Sequence, residues 1–307
     1  MSSVHGLMNG QTMDQISDNV DNLNRLHAEV HHRADERSPG APRFDEEKDK
    51  TAFRNYEEAK EHVKEFYREQ HLKQTVEYNK MVRQKMEDKE PVFMTVWEAM
   101  VQLDKYVDQS DPDTEVTQIE HLLQTAEAMR KDNQSREMQV VGLVHDLGKL
   151  LSIFGAQGQW DVVGDTFPVG CEFSEKIKLY DSLKENPDYH NPAYNTKFGI
   201  YSEGCGLDNL MMSYGHDEYL YQVVKDQSTL SADALAMIRY HSFYPWHNDG
   251  QYKYFMNEDD ENKLAAVKKF NPYDLYSKSD EPPKVEELKP YYLELIAEFF
   301  PKGKLAW

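Results

Sequence analysis

The stretch Val141-Gly-Leu-Val-His145-Asp146-Leu-Gly-Lys149 decides how this chain is read. Met138, Val141, Val144, His145 and Leu147 fall three or four apart or adjacent, the spacing of one helix face, and the spacing predicts a helix over about 136–149 that ends near Gly148. Its apolar face carries an imidazole and a carboxylate. An ionised carboxylate buried alone costs several kcal/mol, so Asp146 must meet a cation, a hydrogen-bond donor or a metal ion.

Working outward, the same periodicity predicts a helix from Phe53 to about residue 88, with room for a break, through Tyr56, Ala59, Val63, Phe66, Val76 and Met81. Val96, Ala99, Met100, Leu103 and Val107 predict another, stopped by the turn-forming run Asp-Gln-Ser-Asp-Pro-Asp at 108–113. Further helices are expected around His121, Leu122 and Ala126, over 208–224, 232–241, 258–269 and 284–299. Between 152 and 209 Gly, Pro, Asn and aromatic residues replace periodic runs, and an irregular segment with short strands or turns is expected. Residues 1–48 are polar and end in Ser-Pro-Gly-Ala-Pro (38–42), with few large apolar groups to offset ordering entropy. They read as a disordered or loosely docked tail, with 49–307 as one mostly α domain.

Composition narrows the function. Of 307 residues, 35 are Lys or Arg and 55 Asp or Glu, a net charge of −20. So negative a surface repels phosphate backbones and anionic lipids unless it carries a local basic patch. The nearest such run, Lys263 to Lys269, is short and mixed, so neither a nucleic-acid nor a membrane partner is expected. The sequence shows no run of about 18 apolar residues and no signal-peptide pattern, which favours a cytoplasmic location. Two cysteines, Cys171 and Cys205, lack CxxC spacing and read as reduced thiols.

The 12 histidines are the informative excess. His121, His145, His216 and His241 all sit in apolar helical contexts; with a carboxylate they would make a nitrogen and oxygen site for iron, manganese or zinc. One carboxylate can bridge two such ions. A second His-Asp pair, His216-Asp217, means that the dipeptide alone does not say which Asp is the ligand. His62, His71, His190, His247 and the tail's His5, His27, His31 and His32 read as structural or solvated.

The order His121, His145-Asp146, then a downstream Asp resembles the HD superfamily of metal-dependent enzymes, most of which hydrolyse phosphate esters. Longer strings are more specific: Thr-Ala-Glu-Ala-Met-Arg (125–130), Gln-Trp-Asp-Val-Val-Gly-Asp-Thr-Phe-Pro-Val-Gly-Cys (159–171), Ser-Tyr-Gly-His-Asp-Glu-Tyr-Leu-Tyr-Gln (213–222), Met-Ile-Arg-Tyr-His-Ser-Phe-Tyr-Pro-Trp-His (237–247) and Phe-Asn-Pro-Tyr-Asp-Leu-Tyr-Ser-Lys (270–278). Together with the opening stretch they resemble the myo-inositol oxygenases, a diiron branch of that superfamily, over about residues 50–307. The chain departs from the family pattern by one extra residue in 154–160 and one fewer between His216 and His241.

The resemblance implies an HD-type helical bundle whose irregular segment covers the site, and a ligand set of His121, His145, Asp146, His216, His241 and Asp274. One iron would take His121, His145 and Asp274, the other His216 and His241, with Asp146 bridging; Asp217 is left as a hydrogen-bond partner. It implies a mixed-valent Fe(II)/Fe(III) pair, dioxygen as co-substrate, and cleavage of the myo-inositol ring to D-glucuronate by a monomer. Substrate contacts carry over to Arg54, Asp108, Ser110, Lys149, Gly164, Asp165, Ser242 and Lys278. Lys149 is also assigned a catalytic role, favouring the alkoxide of a bound hydroxyl. Rings of hydroxyls donate and accept at once, which suits this mix of carboxylates, cations and a seryl group. Asp108 and Ser110 are read equally well as turn residues, and Lys149 as a charge at a helix C-terminus. The rival readings are an HD-type phosphohydrolase, which would need a denser cationic cradle, and a metal-storing helical protein, whose Glu-x-x-His signature is not found at these spacings.

Overall fold

The computed structural model describes residues 61–106, 117–276 and 283–307. Arg54, Asp108, Ser110, Lys278 and the tail lie outside them. Ten α-helices, five short 3-10 helices beyond the one following His145-Asp146, and one two-stranded sheet make up the described residues, so the chain is mostly α.

Helix α1 (Glu61–Lys73) and α2 (Val76–Glu87) make up the first expected helix where it is described, its residues 53–60 lying outside the described ones. They break because Thr75 turns extended and its hydroxyl caps the Tyr78 N–H. Strand β1 (Phe93–Thr95) leads into α3 (Val96–Leu103), and Thr95 with Glu98 forms a reciprocal cap. Thr117 and Glu120 repeat that device at the start of α4 (Gln118–Lys131). Ser135 caps α5 (Arg136–Val144), and Ser231 caps α7 (Ala232–Tyr240). Between them lies α6 (His216–Val224), and α8 (Tyr244–His247), α9 (Glu258–Tyr276) and α10 (Val285–Phe299) follow. Strand β2 (Lys304–Ala306) returns antiparallel to β1, pairing Met94 with Leu305; the sequence reading contained neither strand.

Three boundaries differ from expectation. The helix of residues 136–149 stops at Val144; His145 still donates its N–H to Val141 O, but from Leu147 to Ile153 the chain tightens into a 3-10 helix. His145-Asp146 therefore sits at the junction of two helix types. The helix expected from 208 begins at His216. Before it, the backbone is extended: Ser213 N–H donates to Phe167 O, Met211 O accepts from Val169 N–H, and Pro168 bridges Met212, so these peptide groups are taken by a segment roughly 40 residues earlier in the chain. The helix expected to end at 269 runs through Pro272 to Tyr276 and so carries Asp274.

Helix α4 packs along α5, α9 against α7, and α6 against both α7 and the 3-10 helix after Asp146. The irregular stretch is held by its own apolar groups. Phe167, Val169, Phe173, Ile177 and Leu183 bury against Val76 of α2, while Cys171, Leu207, Leu210 and Met212 join Tyr240, Phe243 and Trp246. Neither Cys171 nor Cys205 is disulfide-bonded.

Candidate metal centre

Each of four elements delivers one imidazole: α4 gives His121, the end of α5 His145, the start of α6 His216 and the end of α7 His241. Gly148 is what lets them meet. A β-carbon there would lie 1.9 Å from His216 O, so only glycine allows the 3-10 helix to rest against the first turn of α6. His145, His216 and His241 are buried, and His121 is partly so.

The tautomers follow from the partners. His145 Nδ1 lies 2.9 Å from Gly142 O, His216 Nδ1 2.9 Å from Val162 O, and His241 Nδ1 2.9 Å from Ile238 O. A carbonyl can only accept, so each Nδ1 carries a hydrogen and Nε2 is the ring nitrogen turned inward, the one that a metal would take. Those nitrogens face carboxylates. His121 Nε2 and His145 Nε2 are 3.2 and 3.1 Å from Asp274 Oδ1, and each is 3.6 Å from Asp146 Oδ2. His216 Nε2 and His241 Nε2 are 3.2 Å apart and lie 3.4 and 3.8 Å from Asp146 Oδ1. Acceptors crowded this closely in a low-dielectric interior require a cation among them.

Charge tells the same story. Burial would raise the Asp146 carboxyl, but the Lys149 ammonium, 2.8 Å from its Oδ2, and the imidazoles of His145 and His216 hold it well below the usual range. Burial is likewise outweighed at Asp274 by His145 and His121. At His241, desolvation would lower the imidazole, yet Asp217, Asp146 and Asp274 together push it up to about 9. Three sets of ligand atoms lie within 4.8 Å of one another: His121, His145 and Asp146; His145, His241 and Asp274; and Asp146, His216 and His241. Imidazole and carboxylate with no thiolate suit iron or manganese, and the two oxygens of Asp146 point to different histidine pairs, as a bridge would.

A sequence model described as Myo-inositol oxygenase matches residues 60–307. The chain belongs to the myo-inositol oxygenase family. It is 52% identical over 263 residues to a probable inositol oxygenase of Oryza sativa subsp. japonica, with 83% of this chain and 85% of that protein covered. It is 52% identical to inositol oxygenase 1 of Arabidopsis thaliana (83% and 84% covered) and 46% identical to inositol oxygenase of Danio rerio (85% and 95% covered).

Within this myo-inositol oxygenase fold, the expected substrate contacts are placed as follows. Lys149 is buried beside Asp146. Gly164 has φ +91°, and a β-carbon would meet Gln70 Nε2 at 2.7 Å and Phe66 at 2.9 Å, so glycine is required there for backbone and space alike. Asp165 is buried and accepts from Tyr67 OH at 3.3 Å. Ser242, next to His241, donates its hydroxyl to Asp217. The extra residue of 154–160 falls in a turn fixed by Asp161, which accepts the N–H groups of Gln157 and Gly158 and the Tyr78 hydroxyl.

Sequence reasoning missed Gln70 and left the places of His247 and Asp217 open. Gln70 Nε2 donates to Val163 O and Asp165 O and so braces the Gly164 turn. His247, read as structural or solvated, is buried with its Nε2 2.9 Å from His241 O. Asp217 is not at the surface but inside the cluster, and its signal was the second His-Asp pair.

Proposed function

We propose that this chain is an inositol oxygenase that opens the ring of myo-inositol with dioxygen to give D-glucuronate. Four electrons leave the substrate; one oxygen atom enters the product and the other leaves as water. The observation that carries this reading is the convergence of four inward Nε2 atoms on two carboxylates, inside a chain of the myo-inositol oxygenase family. His121, His145 and Asp274 would hold one iron, His216 and His241 the other, and Asp146 would bridge. A mixed-valent Fe(II)/Fe(III) pair supplies redox capacity and activates dioxygen.

The rest falls to the protein. Lys149 sets a positive charge beside Asp146, favouring the deprotonated form of a hydroxyl bound there. Ser242, Asp165 and the Gly164 backbone would orient the polyol, and the family resemblance adds Arg54, Asp108, Ser110 and Lys278, outside the described residues, as further substrate contacts. The packed segment around Val162–Phe167 excludes water behind His216. Residues 49–307 would constitute the catalytic unit, a cytoplasmic monomer. No helix of the described residues is long and apolar enough to cross a membrane.

Anaerobic protein loaded with iron is mixed with myo-inositol and exposed to oxygen, and the products are identified. Glucuronate with one labelled atom from ¹⁸O₂ supports the reading. Oxygen-independent release of phosphate from a phosphoester, with no glucuronate, would replace it by the phosphohydrolase.

A further inference from the structure

Asp217 is 1% exposed and stands closer to a histidine pair than the proposed bridge does. Its Oδ1 is 2.8 Å from His216 Nε2 and 3.3 Å from His241 Nε2, and the two nitrogens are 3.2 Å apart. Ligand atoms at about 2.1 Å from a metal and at right angles to one another are about 3 Å apart, so these three edges outline one face of an octahedral site. Asp146 Oδ1 is farther from both nitrogens, at 3.4 and 3.8 Å. The arrangement matches the other histidine pair, where Asp274 Oδ1 lies 3.2 and 3.1 Å from His121 and His145.

Two further features point the same way. Val162 O and Ile238 O take the Nδ1 hydrogens, so Nε2 is in both rings the nitrogen turned toward Asp217 and the one that a metal would take. The carboxylate is also fixed in place: Oδ2 accepts the Ser242 N–H at 3.1 Å and the Thr166 hydroxyl at 3.3 Å, and Oδ1 accepts the Ser242 hydroxyl at 3.1 Å. We propose that Asp217 is a terminal ligand of the second metal in the substrate-free protein, forming with His216 and His241 the counterpart of the His121, His145 and Asp274 set. This rests on the two-iron reading above. Since Oδ1 also holds the Ser242 hydroxyl, one carboxylate couples that metal position to a candidate inositol contact.

The test counts iron without substrate. Full-length wild type, Asp217→Asn, Asp217→Ala and Ser242→Ala are loaded anaerobically with Fe(II), desalted and analysed for iron, with release to a chelator followed over time and circular dichroism reporting the fold. Wild type and Ser242→Ala should hold two irons. Asp217→Asn should hold one firmly and release the second at least ~10-fold faster, as loss of a ligand interaction implies. Added formate should restore the second iron to Asp217→Ala, an effect that a purely structural role would not produce. Two irons with wild-type release in both Asp217 variants would overturn Asp217 as a ligand while leaving the diiron reading standing. A single iron in wild type would overturn that reading and this inference with it.

Discussion

Lys149 and Asp146 form the contact on which the chemistry of single residues turns. A lysine buried against a carboxylate at 2.8 Å could serve only to balance charge, but its ammonium lies beside the oxygen that also faces His121 and His145. Lys149→Ala is expected to keep its iron and lose at least ~100-fold in inositol turnover, the scale of one well-placed electrostatic contribution. Near-wild-type turnover would remove Lys149 from the catalytic account. Asp146→Ala should lose both irons, because its two oxygens serve both histidine pairs; elemental analysis showing two irons would mean that another carboxylate bridges. The motif strings and the family resemblance pointed to Asp146 as the bridge, whereas the closeness of Asp217 to His216 and His241 was not legible: a His-Asp dipeptide looks the same wherever its side chains point.

Between elements, the pairing of α6 with α7 sets the spacing of His216 and His241. Two residues after His216, Glu218 reaches Arg239, two residues before His241, with Oε2 2.8 Å from Nε. Burial would raise the Glu218 carboxyl, but Arg239 and Arg83 keep it ionised below its usual range. Removing one partner of a buried ion pair strands the other, so Glu218→Gln should cost about 3 kcal/mol in urea unfolding and speed iron release from the second position. Unchanged stability together with unchanged release would show that apolar packing alone aligns the two helices. Periodicity located most of the helices but misplaced the starts and ends around the site. The 3-10 turn after Asp146 and the extended run before His216 depend on Gly148 against His216 O and on Ser213 against Phe167, which are contacts between segments far apart in sequence.

At the scale of the molecule, the net charge is −20, and among the described residues the buried Arg239 and Lys149 and the partly buried Arg83 face acidic partners. Acid stability carries one separable signature. His71 of α1 is fully buried with Nδ1 2.6 Å from Ser182 Oγ, and desolvation lowers its pKa from 6.5 to about 3. The unfolded chain takes up this proton near pH 6.5 and the folded chain only near pH 3. Unfolding therefore binds a proton between those values, and stability falls as the pH drops through the window, by up to about 1.4 kcal/mol per pH unit. His71→Asn, which keeps a polar atom near Ser182, should lose less stability than wild type between pH 7 and pH 4.5. Equal slopes in urea titrations would show that His71 is not the group responsible.

By itself, the sequence determined the helical class and the family and pointed to six candidate ligands, because periodicity and motif strings are properties of neighbouring residues. Tertiary structure decided which ring nitrogens converge: it turned His216 Nδ1 to Val162 O, aimed Asp146 at two histidine pairs and drew Asp217 toward His241. Those outcomes depend on distances between α4, α5, α6, α7 and α9, which long-range packing sets and local sequence does not encode.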